Sequence, residues 1–347
     1  MNPIKQLFER YVTEDTTGYY TPKKLLPYFD DAMLMMIIGA RRIGKTNFAL
    51  RLVCDLWQEF HLKSMWVRNK MTELKEPEFL NDFLNDAKRF GWCPEEWTVR
   101  PDGVHINEDR DSELIIKFQS ISTFSNRRGG SHPDVLLMVF DEFMPEDRRY
   151  PPMCATGLLS LTKTVFSGNQ DARCLCLSNF VSVANPYFVK FRVYPDKHKD
   201  ITFFRNKGIV IERCTGYTCS IQEDNAWNRV YKSAQIGEYA SESEDKLSDL
   251  ICPVPKGATP KPYLIQCDNI LYRGWEKDGF TYWAEYKAPV DNKIVIWTPN
   301  LKECSDRVAL ILPWMKKHLI EAMQMGTLRF KNPNVMFAIL NIAFETV

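Results

Sequence analysis

The sequence predicts an α/β fold with a mostly parallel sheet, and three observations carry that prediction. The apolar run AMLMMII (32–38) leads into GARRIGKT (39–46), and TNFALRLVCDLWQEF follows with helical spacing. Farther on, DVLLMVFDEF (134–143) is a buried-type strand that ends in two carboxylates. Around these, strand-type runs alternate with helix-type runs, as in units that wind around a parallel sheet with chemistry at the strands' carboxyl ends. GARRIGKT has the G-x-x-x-x-G-K-[ST] spacing of a phosphate-cradling loop, so the expected architecture is a P-loop NTPase sheet of the ASCE or RecA-like kind.

Each element has its own justification. The β-branched end of AMLMMII suits a buried strand. In the run after the loop, Ala49, Val53, Leu56, Trp57 and Phe60 fall on one helical face. SMWVRN (64–69) reads as a strand and EPEFLNDFLNDAKRF (76–90) as one amphipathic helix. WTVRPDGVHINEDRDSELIIKFQS reads as short antiparallel strands joined through a Pro-Asp-Gly turn. GLLSLTKTVF (157–166) is helical, and RCLCLSN (173–179) is an apolar strand with a polar end. These elements make the expected P-loop domain of residues 1–205.

A polar, acidic and helical stretch then begins, and CPVPKGATPKP (252–262) reads as a stiff, extended connector. The expected linker spans 206–258. Over 259–347, YLIQCDNILYRGW, FTYWAEYKA and KIVIWT are β-type runs of a small α+β domain. RVALILPWMKKHLIEAMQM reads as a helix kinked at Pro313, and NPNVMFAILNIAFE as a second helix.

Bulk properties exclude several classes. A formal net charge of +1 gives no global basic signature, so nucleic-acid contact must come from local patches. MNPIKQLFERYV lacks the apolar core of a signal peptide, and no apolar run reaches membrane-spanning length. The ten cysteines include no C-x-x-C spacing and read as scattered reduced thiols of a cytosolic protein.

The chemistry expected is nucleotide hydrolysis. Gly39, Ala40, Arg41, Arg42, Ile43, Gly44, Lys45 and Thr46 form the phosphate cradle. Its glycines let successive amides turn inward, Lys45 adds a compact positive charge, and the Thr46 hydroxyl can ligate Mg2+. Asp141 can hold the same Mg2+, and Glu142 can polarise the attacking water. A carboxylate directly after the Mg2+ aspartate marks the class of P-loop ATPases made up mainly of ring motors. Asn179 ends its strand where it would sense the γ-phosphate or orient water, or simply cap the strand. A ring also needs a cation supplied in trans, with Arg127, Arg128, Arg148, Arg149 and Arg173 as candidates.

At IIGARRIGKT, VFDEF and above all RCLCLSNFVSVANPYF (173–188), the chain resembles the DNA-packaging ATPases of the phi-29 type of short-tailed bacteriophage. The likeness resumes in DGFTYWAE (278–285) and QMGTLRFKNPNVMFAILNIAFE. It implies a homopentameric ring at the portal vertex that pumps double-stranded DNA into a procapsid with ATP and Mg2+. It also implies an RNase H-like C-terminal domain that is a nucleic-acid-binding vestige, and contact with a packaging RNA. Membranes have no part in it. The protein would work in the host cytoplasm and at the procapsid, and would be absent from the mature virion. By the same resemblance Arg68 matches an arginine after the second strand, and Lys70 lies one position from a lysine of the DNA-facing loop. Both are expected to bind DNA, and Arg128 takes the place of a trans-acting lysine. Ser167 stands where the family has an arginine, which leaves Arg128, Arg148 or Arg149 for the trans role. Two other functions stay open: a full terminase with a metal-dependent nuclease centred on Asp268, read on the candidate first strand of the C-terminal domain, and a nucleotide-holding structural subunit.

Overall fold

The computed structural model describes residues 1–15, 18–106, 112–124, 134–179, 182–196, 198–217 and 250–344. Two compact units emerge. The first comprises Met1–Val181 and Pro195–Ser243, and the second Ser182–Tyr194 and Glu244–Val347.

In the first unit, the P-loop strand β1 (Leu34–Gly39) is followed by β2 (Lys63–Arg68), β3 (Trp97–Arg100), β4 (Gly103–Ile106), β5 (Glu113–Ser120), β6 (Val135–Asp141) and β7 (Arg173–Ser178). The strands β8 (Ile201–Phe204) and β9 (Ile209–Cys214) complete a sheet of order β3-β4-β5-β2-β6-β7-β1-β9-β8. From β5 to β9 the neighbours run parallel, and both edges are antiparallel. The order matters for function, because β7 separates β1 from β6. Three strand ends, with the P-loop, Asn179 and the Asp141–Glu142 pair, therefore lie side by side at the carboxyl edge.

Burial explains why these strands lack alternation. All seven residues of β6 and all six of β7 are buried, as both faces are covered. Helix α2 (Lys45–Phe60) packs one face with Ala49, Val53, Leu56 and Trp57. The N-terminal helix α1 (Pro3–Glu14) starts at Pro3 and is capped by Asn2, whose Oδ1 accepts from the Ile4 amide at 2.9 Å. Its Phe8 meets Phe48 edge to face with centroids 5.5 Å apart.

Some expectations need correction. The single helix expected over 76–90 is two short ones, Pro77–Asp82 and Asn85–Arg89. Asn85 donates to Asp82 across the break at 2.8 Å, a local side-chain bond that competes with a continuous helix. The expected boundary at 205 falls between β8 and β9, which pair with each other, and β9 also pairs with β1. Residues 218–249, including the acidic part of the expected linker, lie outside the described residues.

The second unit holds β10 (Thr259–Cys267), β11 (Ile270–Lys277), β12 (Phe280–Glu285), β13 (Val295–Thr298), β14 (Val308–Leu310) and β15 (Leu328–Phe330), in the order β14-β13-β10-β11-β12-β15. β10 to β12 form an antiparallel meander, while β13 and β14 join parallel to β10. With the helices Pro313–Gln324 and Pro333–Phe344 this sheet makes the small α+β domain expected over 259–347. The end of the stretch read as a connector, residues 259–262, is strand, since β10 starts at Thr259. Pro313 does not kink a helix. It opens the helix Pro313–Gln324, where its missing N–H costs nothing, and β14 precedes it. Asp268 does not sit on the first strand. With Asn269 it makes the tight β10–β11 turn, at φ 52° and 61°, and its carboxylate faces Arg192 at 3.4 Å. Among the described residues, no helix is long and apolar enough to cross a membrane.

Candidate nucleotide site

The cradle is built by two glycines with different tasks. Gly39 ends β1 against β9, and a Cβ there would lie 2.5 Å from the Cys214 Cβ. Gly44 takes φ 94° and is the N-cap of α2, offering no side-chain cap to the first-turn amides. Arg42 is also left-handed, at φ 61°. An uncapped helix N-terminus preceded by a left-handed loop is a ready anion site. Lys45 is only 7% exposed and donates to Gly39 O at 2.9 Å and Ala40 O at 2.6 Å, so it is folded back over its own loop. Thr46 is exposed on the first turn.

Across the cleft, Asp141 is buried and Glu142 stands beside it in a left-handed conformation, φ 51°. That backbone is strained for a side chain of this size. It is held by Asn69, whose Nδ2 donates to Glu142 O at 3.0 Å and Phe143 O at 3.2 Å. The Glu142 carboxyl has its pKa raised, first by withdrawal from water and further by Asp141, Glu146 and Glu73, with Arg68 opposing.

Arg68 is the largest surprise at the site. Its Nη2 donates to Asp141 Oδ2 at 2.7 Å and its Nη1 to Glu142 Oε2 at 2.6 Å. The residue expected at DNA stands here between the two carboxylates, because β2 is the neighbour of β6. Lys70 lies at the cleft rim, 3.4 Å from Asp147 Oδ2. Asn179 approaches Lys45 Nζ at 3.4 Å and donates to Glu146 Oε1 at 3.1 Å. Arg173 is not a finger candidate. It is buried and donates to the carbonyls of Phe29, Gln170 and Ala172. Arg127 and Arg128 lie outside the described residues. The P-loop, Asp141, Glu142 and Asn179 share a cleft of about 860 Å³ that Tyr19 and Tyr20 also line, ample for a nucleoside triphosphate.

The family model of the podovirus DNA encapsidation protein (Gp16) matches residues 14–346. The chain belongs to that family. It is similar to the DNA packaging protein of Bacillus phage phi29, 27% identical over 345 residues, 95% of this chain and 97% of that one. It is similar in structure to a chain of the bacteriophage Phi-29 viral genome packaging motor assembly, with TM-score 0.61 and 25% identity over 94% of this chain and 100% of that one. A fold likeness extends to the Phi-28 gp11 DNA packaging motor, TM-score 0.70 at 17% identity, covering 96% and 99% of the two chains.

In this member of the encapsidation family, the structure adds residues that motif spacing did not disclose. Glu212 on β9 pairs in register with Ile37 of the P-loop strand and is fully buried. Tyr20 and Tyr217 donate to its two oxygens at 2.8 and 3.1 Å, and the Tyr20 amide donates to Ile43 O in the P-loop at 2.7 Å. Its one sequence signal is a charge inside the apolar run IVIERC. Burial lifts the Glu212 carboxyl to about 7, against 4.5 in an open chain. The native state therefore holds a proton that the unfolded chain has released. The contribution of Glu212 to stability is full below about 4.5, falls as pH rises to about 7, and is lost above. Glu212→Gln is expected to abolish that slope and to be the more stable protein at alkaline pH, by at most about 3 kcal/mol. Urea unfolding curves at several pH values measure this directly.

Proposed function

We propose that this chain is an ATP-driven motor that moves double-stranded viral DNA into a preformed procapsid. The observation that carries the reading is that Lys45 and the Asp141–Glu142 pair face one cleft in a chain of a DNA encapsidation family. The residues fit Mg-ATP. An uncapped helix N-terminus and Lys45 suit phosphate oxygens, while the Thr46 hydroxyl and the Asp141 carboxylate are hard oxygen donors suited to Mg2+. The bound metal would neutralise phosphate charge as it develops.

The chain's own groups do the rest. The α2 N-terminus and Lys45 orient the triphosphate. Glu142 takes a proton from water as its oxygen bonds to the γ-phosphorus and the bond to the β–γ bridging oxygen breaks. Its raised pKa makes it a better base than an ordinary carboxylate once ionised. Arg68 balances both carboxylates, and Asn179 is placed to register the terminal phosphate through Lys45. Lys70 is the candidate phosphate contact on DNA. The chain works as a homomeric ring, a pentamer, at the portal vertex, with a packaging RNA among its contacts and the host cytoplasm as its location. The C-terminal unit contributes nucleic-acid binding rather than cleavage, and the ring leaves before the virion matures.

In this reading Arg128 acts on the neighbour's nucleotide, a role worth about 10³–10⁵ in kcat where it has been measured for such groups. Mixed rings of wild type and Arg128→Ala, in equal amounts, are therefore expected to show DNA-stimulated ATPase and packaging well below half of wild type. Activity that simply scales with the wild-type fraction overturns the trans role. Absence of DNA-stimulated ATPase in the wild-type protein with procapsids overturns the motor itself.

A further inference from the structure

Glu146, five residues beyond Asp141, is not part of either nucleotide motif, yet it ties the site together. Its Oε1 accepts from Arg41 Nε at 2.8 Å and from Asn179 Nδ2 at 3.1 Å, and Arg41 Nη2 completes an ion pair with it. The other end of the Asn179 amide faces Lys45 Nζ. One carboxylate thus engages the P-loop arginine directly and the P-loop lysine through an amide. These are the donors that an anionic phosphate would claim, and two anions cannot share them without strong repulsion.

We propose that Glu146 is an internal competitor of the terminal phosphate: it occupies Arg41 and Asn179 when the cradle holds no triphosphate and is displaced when the γ-phosphate arrives. This rests on the reading of the cleft as an ATP site. A ligand shifts a conformation only by its differential interaction with the two states. ATP reaches the donors that Glu146 holds, whereas ADP stops one phosphate short. The loop after β6 is therefore set to distinguish the two nucleotides, and Glu146 is a positioning residue rather than a catalytic one.

The test is nucleotide affinity, measured by calorimetry on the full chain with Mg-ATP and Mg-ADP. Glu146→Gln keeps the size and an acceptor oxygen but removes the charge. It is expected to tighten ATP by roughly 3- to 10-fold and ADP by less than about twofold. In an Arg41→Ala background the gain for ATP should shrink, since the contested donor is gone. Unchanged or weaker ATP binding by Glu146→Gln overturns the proposal. So does equal tightening of ATP and ADP, which reduces Glu146 to a distant charge. Lys45→Ala separates the two readings. If it binds ATP as tightly as wild type, the cleft is not the ATP site. If it loses ATP while Glu146→Gln gains nothing, only the competitor role fails.

Discussion

Glu142→Gln is expected to lower ATP turnover by about 10²–10⁴-fold while leaving the affinity for ATP within about threefold of wild type. In the proposed mechanism this carboxylate is the base, and burial raises its proton affinity. Its amide isostere keeps an oxygen to accept from Arg68 Nη1, now 2.6 Å away, but cannot take a proton. The strained backbone at φ 51° is held by Asn69 through main-chain carbonyls, so the substitution leaves it in place. The wild-type rate should rise with pH through the raised Glu142 pKa, because only the ionised form accepts a proton. That limb should vanish in the variant. Turnover above a tenth of wild type, measured under saturating ATP with DNA and procapsids, would mean that another group activates the water.

The second large effect concerns Arg68. Arg68→Ala removes the fork that pairs Asp141 and Glu142 and leaves a carboxylate only 3% exposed without its partner. Breaking a buried pair from one side costs about 3–5 kcal/mol, and the partial exposure of Arg68 places this case near the lower figure. Its guanidinium also lies 5.6 Å from the centre of the Phe79 ring, and alanine ends that cation–π attraction too. Thermal unfolding without nucleotide should show the full loss, and millimolar Mg2+ with ATP should recover part of it by supplying positive charge at Asp141. The pH profile moves as well. Arg68 lowers the Glu142 pKa, so without it Glu142 stays protonated to higher pH and the acid limb of turnover shifts upward. An unchanged limb would separate Arg68 from the base, and a fully stable variant would show that Asp141 finds another partner.

The legible and illegible parts of the site differ in kind. GARRIGKT and VFDEF were readable because each feature depends on its immediate neighbours: glycine at φ 94°, a lysine on the first helical turn, carboxylates at the end of a fully apolar strand. Pro313 misled because proline both breaks a helix interior and opens a helix, and only the preceding β14 distinguishes the two. Asp268 misled because YLIQCDNILYRGW runs through a two-residue turn whose flanks are both strand-like. Arg68, the last residue of β2, was read from the resemblance alone, with no means of knowing that β6 would lie alongside.

By itself, the sequence supplied the residues on which the proposed chemistry rests: GARRIGKT, Asp141 and Glu142 at the strand ends of a mostly parallel α/β sheet, in a chain of a DNA encapsidation family. The tertiary structure decided how those groups are balanced. Inserting β7 between β1 and β6 sets Asn179 between the cradle and the carboxylates, and pairing β2 with β6 turns Arg68 onto them. Pairing β9 with β1 buries Glu212 behind the P-loop, and the loop after β6 brings Glu146 to Arg41. The physical reason is range. Backbone conformation and amphipathic spacing are local and can be read along the chain. A carboxylate's partners are set by strand order, which brings Arg68 to Asp141 across 73 positions and Arg41 to Glu146 across 105.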